Sequence, residues 1–224
     1  MMLEVENLSY QRNGRPVFSD INFIVEPGNC LLLTGPNGSG KSTLLRVLAG
    51  LLPVQQGKLV INQNRTTDHY DFIAANIEFV SHLNAVKKQM TLWDNLQFWT
   101  DISGIGPLDR LEPKFNDPLS IDSFKNQLTF LCSEGQIRRL ALSRLAISKK
   151  NIWLLDEPTT SLDRGTIQSF ERLVKAHCLE GGIAVIATHD KLNIPRTQSV
   201  TINLKQKRKL GKTDFLDPFL AGDW

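Results

Sequence analysis

No apolar run among the 224 residues approaches the roughly 20 that a membrane-spanning helix needs, so no transmembrane segment is expected. Cysteine is sparse. Cys30, Cys132 and Cys178 are odd in number and scattered, which suggests neither a disulfide framework nor a metal cluster and points to a reducing compartment. Charge of one sign is lacking as well. The 26 Lys and Arg residues against 23 Asp and Glu leave a net charge of +3, too small to imply a nucleic-acid partner. The one basic cluster is Lys205-Gln206-Lys207-Arg208-Lys209, with Lys212 just after it. It reads as a solvated tail or as a contact for anionic lipid head groups. The N-terminus is acidic and starts a strand almost at once, so it is neither a secretory signal nor an Arg-rich transit peptide. No internal repeat or low-complexity run is present. The length suits one α/β domain with a sizeable core.

Residues 3–8 alternate apolar and polar, as a half-buried strand does. Asn13-Gly14 is a turn signal, and residues 17–18 and 21–25 read as further antiparallel strands. Residues 30–33 predict a buried strand and residues 44–49 a helix ended by Gly50. Strands follow at 58–61 and 77–81, with a polar loop at 62–71 between them. Residues 91–100 predict a helix capped by Thr91, with Leu92, Trp93, Leu96 and Trp99 on one face. Residues 101–120, rich in Gly and Pro, read as loops and short helices. Residues 133–146 predict a basic amphipathic helix. A buried strand at 152–155, a helix at 166–179, a buried strand at 183–188 and a last strand at 200–204 complete the pattern. Strands alternating with helices imply a parallel sheet, whose ligands sit at the strand C-termini.

One stretch organises the rest: Thr34-Gly35-Pro36-Asn37-Gly38-Ser39-Gly40-Lys41-Ser42-Thr43. It fits G-x-x-x-x-G-K-[ST] and joins a strand end to a helix start, the context that phosphate-binding loop requires. Three glycines let successive backbone N–H groups turn toward one phosphate, and the helix N-terminus adds its positive dipole end. Lys41 would place a point charge on the β- and γ-phosphates of ATP, and the Ser42 hydroxyl would be a hard oxygen ligand for Mg²⁺. Asp156 ends a buried strand in the position that holds the metal through a water. Glu157 beside it can accept a proton from an attacking water. His189 follows another buried strand and could hydrogen-bond the γ-phosphate. Tyr10 precedes the Asn13-Gly14 turn. Its ring could stack on an adenine, or it could be a half-buried strand tyrosine.

With Cys132-Ser133-Glu134-Gly135-Gln136 and the helix after it, the chain resembles the ATP-binding-cassette (ABC) ATPase family end to end. That stretch looks like the family signature L-S-G-G-Q, with Cys132 for Leu and Glu134 at a varying position. The resemblance implies an α/β P-loop core formed by residues 1–82 and 149–224, with an antiparallel β subdomain. It also implies a helical lobe at 83–148 that carries the signature. Ser133, Gly135 and Gln136 would meet the ATP of a second copy of the chain, and Ser161, Leu162 and Asp163 match the D-loop at the dimer interface. Tyr10 matches the adenine-stacking aromatic and His189 the switch histidine. His82 takes the place of a metal-contacting glutamine and joins Ser42 and Asp156 in the metal set. It can offer only a neutral ring nitrogen where glutamine supplies a carbonyl oxygen.

Within the family, His82, residues 93–98, the signature helix and residues 152–158 and 181–189 resemble the ATP-binding subunits of the haem exporter of cytochrome c maturation. The resemblance implies integral membrane partners of that system, docked where Leu83, Trp93 and Phe98 line a cleft. It implies a peripheral place on an inner membrane, at the cytoplasmic face in a bacterium or the matrix face in a mitochondrion. The alternatives are the ATPase of a different ABC transporter or a non-transport ABC ATPase.

Overall fold

A computed structural model describes residues 1–62, 64, 65, 70–104, 106 and 117–202. The basic cluster at 205–212 and the last residues of the strand expected at 200–204 lie outside these. Two sheets make the frame. In the antiparallel one, β1 (Leu3–Arg12) pairs with β2 (Arg15–Val25) on one side and with β4 (Gln56–Ile61) on the other, and β5 (Asn64–Arg65) follows at the edge. The β1–β2 turn is made by Asn13 and Gly14, with φ of 50° and 71°. Two successive positive φ values are what a tight hairpin turn needs, which is why Asn-Gly marks one.

The second sheet is parallel throughout, in the order β6 (Ile77–Val80), β7 (Ile152–Asp156), β8 (Ile183–Ala187), β3 (Cys30–Thr34), β9 (Thr197–Thr201). β7 and β8 are buried at every position, as central strands covered on both faces must be. Helix α1 (Lys41–Leu48) follows β3 and packs on the sheet through Leu44, Leu45, Val47 and Leu48. The short helix α2 (Tyr70–Asn76) precedes β6. Helices α3 (Leu92–Ile102), α4 (Glu134–Ile147) and α5 (Arg164–Leu179) complete the described helices longer than one turn.

Among the described residues, three apolar clusters form the core. The largest lies between the two sheets and takes in α1, and a second joins the parallel sheet to Phe170 and Val174 of α5. The third holds Leu92, Leu96 and Trp99 of α3 against Leu140 and Ile147 of α4. Burial pushes the Cys30 and Cys178 thiols up to about 12 and about 11, so both stay protonated at neutral pH. No helix of the described residues is long and apolar enough to cross a membrane.

Two elements differ from the sequence expectation. Residues 70–76 form α2, where only a loop ending at 71 is expected. β9 runs Thr197–Thr201 rather than 200–204. It is an edge strand, held by backbone pairing to β3 and exposed at four of its five side chains, so apolar pattern does not mark it.

The loop after β6 is tied down by Asn95, which is fully buried in α3. Its amide nitrogen donates to Lys87 O (3.0 Å), Thr91 O (2.9 Å) and Thr129 Oγ1 (3.1 Å). Its oxygen accepts from Lys87 N (2.7 Å). Asn95→Ala leaves these partners unpaired and is expected to cost about 1–3 kcal/mol of stability. The shift of a urea-denaturation midpoint measures it; an unchanged midpoint would mean the loop is held by other contacts.

Candidate functional site

The loop from β3 into α1 is closely fitted. Gly35 has φ of 142°, and a Cβ on it would stand 2.5 Å from Ile202 O and 2.8 Å from Ser39 Oγ. Gly40 has φ of 100° and begins α1, and a Cβ there would meet Val17 Cγ1 at 2.9 Å. Both positions therefore admit only glycine. No side chain caps α1, so the N–H groups of its first turn face the loop. Pro36, Asn37 and Gly38 are exposed at the loop tip, Ser39 is buried beneath it, and Ser42 and Thr43 are half-buried. Lys41 is 7 % exposed, and its ammonium donates to Gly35 O (2.9 Å) and Pro36 O (3.3 Å).

The other strand ends arrive at the same place. Ser42 Oγ donates to Asp156 Oδ1 at 2.9 Å, joining α1 to the end of β7. Asp156 is 1 % exposed. Its Oδ2 lies 3.5 Å from His82 Nδ1 and is buried without a hydrogen-bond partner among the described residues. Glu157 takes φ of 46°, a strained value for a residue with a side chain, and its N–H donates to Ala187 O at 2.8 Å. Its Oε1 is 3.3 Å from His189 Nε2, and the same ring nitrogen is 3.1 Å from Lys41 Nζ. Lys41, Ser42, Asp156, Glu157, His82 and His189 thus form one polar cluster at the C-terminal edge of the parallel sheet. Arg138 lies on the helix after the signature and has no role assigned from sequence, yet its guanidinium hydrogen-bonds the carbonyls of Asp156 and Glu157. An arginine on an amphipathic helix looks like a surface residue, so no sequence signal marks it.

A second face is built by the start of α4 and the turn before α5. Ser133 caps α4: its Oγ accepts from Gln136 N (3.2 Å), and its N–H donates to Gln136 Oε1 (2.8 Å). The Gln136 carboxamide is therefore turned back on its own helix. A Cβ on Gly135 would stand 2.8 Å from Ser161 O, so this helix start needs glycine to lie against the turn. Ser161 has φ of 65°, and its hydroxyl donates to Glu134 Oε2 at 3.4 Å. Ser133, Gly135, Gln136, Ser161, Leu162 and Asp163 line one open groove.

Tyr10 corrects an expectation. It is 2 % exposed, with its ring 6.1 Å from that of Phe18, so it offers no face to an adenine. The cause is local. Asn7 has φ of 48° and β1 shifts register beyond Val5, which breaks the alternation and buries Leu8, Ser9 and Tyr10 in succession.

Asp163 clasps α4 to α5. It accepts from Thr166 N (2.9 Å), Thr166 Oγ1 (2.9 Å) and Arg139 Nη2 (2.7 Å). The Thr166 N–H first, then Arg139, hold its carboxyl at about 2, below the ordinary 3.8. Its contribution to stability is thus complete above about pH 4 and is lost as pH falls through about 2. An NMR titration should give that low midpoint, moving part of the way back in Arg139→Ala. An ordinary midpoint in the unmutated protein would remove the clasp.

Comparison with known proteins agrees with this geometry. The ABC transporter family model matches residues 18–160. The cytochrome c biogenesis ATP-binding export protein CcmA of Mesorhizobium japonicum is 40 % identical over 194 residues, covering 87 % of this chain and 94 % of its own length. The protein of the same name from Reclinomonas americana is 32 % identical and covers 92 % of each chain. Among solved structures, an ABC transporter ATP-binding protein from Pyrococcus furiosus superposes with a TM-score of 0.76 at 25 % identity, over 90 % of this chain and 98 % of its own. A dimeric ATP-binding cassette solved after hydrolysis with ADP and Pi gives 0.76 at 22 % identity, over 94 % and 100 %. With a family match over most of its length and relatives this similar, the chain belongs to the ABC transporter family as one of its ATP-hydrolysing, ATP-binding subunits.

Proposed function

We propose that the chain powers the haem exporter of cytochrome c biogenesis, hydrolysing ATP between two copies of itself beneath integral membrane partners. The observation that carries the hydrolytic part is the convergence of Lys41, His189 and Glu157 within 3.3 Å contacts, beside the Ser42–Asp156 hydrogen bond. The names of the relatives support the export assignment.

In this reading the free N–H groups of the loop and of the first turn of α1, with the Lys41 ammonium, bind the ATP phosphates. Lys41 exchanges its hold on Gly35 O and Pro36 O for phosphate oxygens. Glu157 takes the proton of the attacking water, and His189 orients the carboxylate and the γ-phosphate. The donor set fits Mg²⁺: a hydroxyl and a carboxylate are hard oxygen ligands, and Asp156 Oδ2 is buried with no hydrogen bond among the described residues. When bound, the cation neutralises charge on the β- and γ-phosphates. His82, with a ring nitrogen, stands beside the Asp156 carboxylate and steadies it.

The second copy completes the pocket. Ser133 Oγ uses a lone pair on Gln136 N, which leaves its O–H to donate to the partner's γ-phosphate. Gly135 and the α4 N-terminus bring backbone N–H groups and a positive dipole end to the same anion. Ser161, Leu162 and Asp163 lie at that interface, and Gln136 supports it by capping α4. The lobe read at 83–148 would carry this face; the cluster of Leu92, Leu96 and Leu140 supports it, while Leu142 and Leu145 of α4 join it to the parallel sheet. Membrane partners dock at the cleft near Leu83, which is 67 % exposed, and the complex sits on the inner face of an inner membrane.

Glu157→Gln should bind ATP, elute as a dimer in its presence, and release phosphate at least ~100-fold more slowly. Turnover at the unmutated rate would remove Glu157 from the chemistry. Affinity purification from membranes should bring down integral haem-handling proteins. Their absence, with other transporter subunits in their place, would overturn the exporter assignment.

A further inference from the structure

Arg138 is the fifth residue of α4 and is 3 % exposed. A guanidinium has five N–H donors in a rigid plane, and here all five find acceptors. Nε donates to Pro158 O at 3.1 Å. Nη1 donates to Ser81 O at 2.8 Å and Asn84 Oδ1 at 2.9 Å. Nη2 donates to Asp156 O at 2.9 Å and Glu157 O at 2.8 Å. One side chain thus joins the signature helix, three consecutive carbonyls after β7 and the loop after β6. Burial lowers its pKa to about 10, with Asp156 opposing the shift, so it remains a cation at neutral pH.

None of the five acceptors is a carboxylate. A buried charge without a direct ion pair is a poor device for stability alone, since apolar packing of similar volume does as well or better. The arrangement suits holding a backbone in place. Glu157 needs that, because φ of 46° persists only where neighbours fix both sides of the residue. Ala187 O holds its N–H at 2.8 Å, and Arg138 holds its carbonyl. The side chain so aimed reaches 3.3 Å from His189. Lysine, with one nitrogen and no planar fork, cannot span the same acceptors.

We infer that Arg138 is a positioning residue for ATP hydrolysis, holding the backbone at 156–158 in the strained turn that aims Glu157 and tying that turn to the helix that bears Ser133 and Gly135. The inference rests on Glu157 being the base.

Steady-state ATPase kinetics and fluorescent-nucleotide binding on Arg138→Met and Arg138→Lys test it. In Arg138→Met, kcat should fall about 10–100-fold, the usual effect of misplacing a catalytic group by about an ångström. KM and nucleotide Kd should stay within about 3-fold, because the fork does not reach residues 35–43. Arg138→Lys should recover part of the rate. On a Glu157→Gln background the same substitution should cost little more, because the group it aims is already gone. A structural role alone would lower the residual rate equally on both backgrounds. Circular dichroism melting confirms folding, and Arg138→Gln replaces the methionine variant if that one does not fold. Unmutated kcat in a folded Arg138 variant, or equal losses on both backgrounds, overturns the inference while leaving Glu157 in place. Normal turnover in Glu157→Gln alone overturns the underlying reading and the inference with it.

Discussion

The site depends on the hydrogen-bond register of the parallel sheet. Leu33 of β3 pairs with Ala187 of β8, and Ala187 pairs with Asp156 of β7. Three strands from distant parts of the chain therefore end level. The chain leaves each of them carrying chemistry: the glycine loop after Thr34, Glu157 after Asp156, and Thr188 and His189 after Ala187. A parallel sheet with both faces buried has little freedom to slip, because a one-residue shift would turn every side chain to the opposite face. The apolar runs in β7 and β8 that read as structure are thus what fixes the distance from Glu157 to His189.

The site keeps three of its charges out of water and pairs them within itself. Lys41, Asp156 and Arg138 are 7 %, 1 % and 3 % exposed. Lys41 is held by two carbonyls and His189, and Asp156 by Ser42 with His82 close by. The exception is Asp156 Oδ2, buried with no hydrogen bond among the described residues. A buried carboxylate oxygen in that state is costly unless another positive group comes to it. Loop, metal position and strand end are therefore one electrostatic unit rather than three neighbouring motifs.

What the sequence discloses is whatever is local. Gly35, Gly40, Lys41 and Ser42 announce themselves because a strand end, a close backbone turn and a helix start lie within ten residues of one another. Asp156 and His189 follow, because four or five apolar residues before a polar one mark a central strand end. Thr91 is legible as a helix cap for the same reason. What stays hidden depends on partners far along the chain or on a single backbone irregularity. Tyr10 looks half-exposed until the positive φ of Asn7 changes the parity of β1. That Gln136 also caps its own helix, accepting from Ser133 N, shows only in three dimensions. Arg138 looks like any helix arginine, since its five acceptors are contributed by residues 18 to 57 positions away.

The division of labour within one subunit follows from these contacts. The Lys41 edge gathers the groups to which the proposed function gives the holding and cleaving of a phosphate, but it leaves the side of Glu157 and His189 half-open to solvent. The groove at Ser133 and Gly135 offers a helix N-terminus and a hydroxyl with its proton to spare, yet its own charged neighbours, Glu134, Arg139 and Asp163, are occupied with the turn before α5. Each face has what the other lacks; the first includes the end of β7 and the second the start of α4. The fork of Arg138 crosses between those two elements, so displacement of the signature helix acts directly on the carbonyls that set Glu157. If Glu157 is the base and Arg138 aims it, as proposed, a twin subunit pressing on the Ser133 face would reach that base through a single buried side chain.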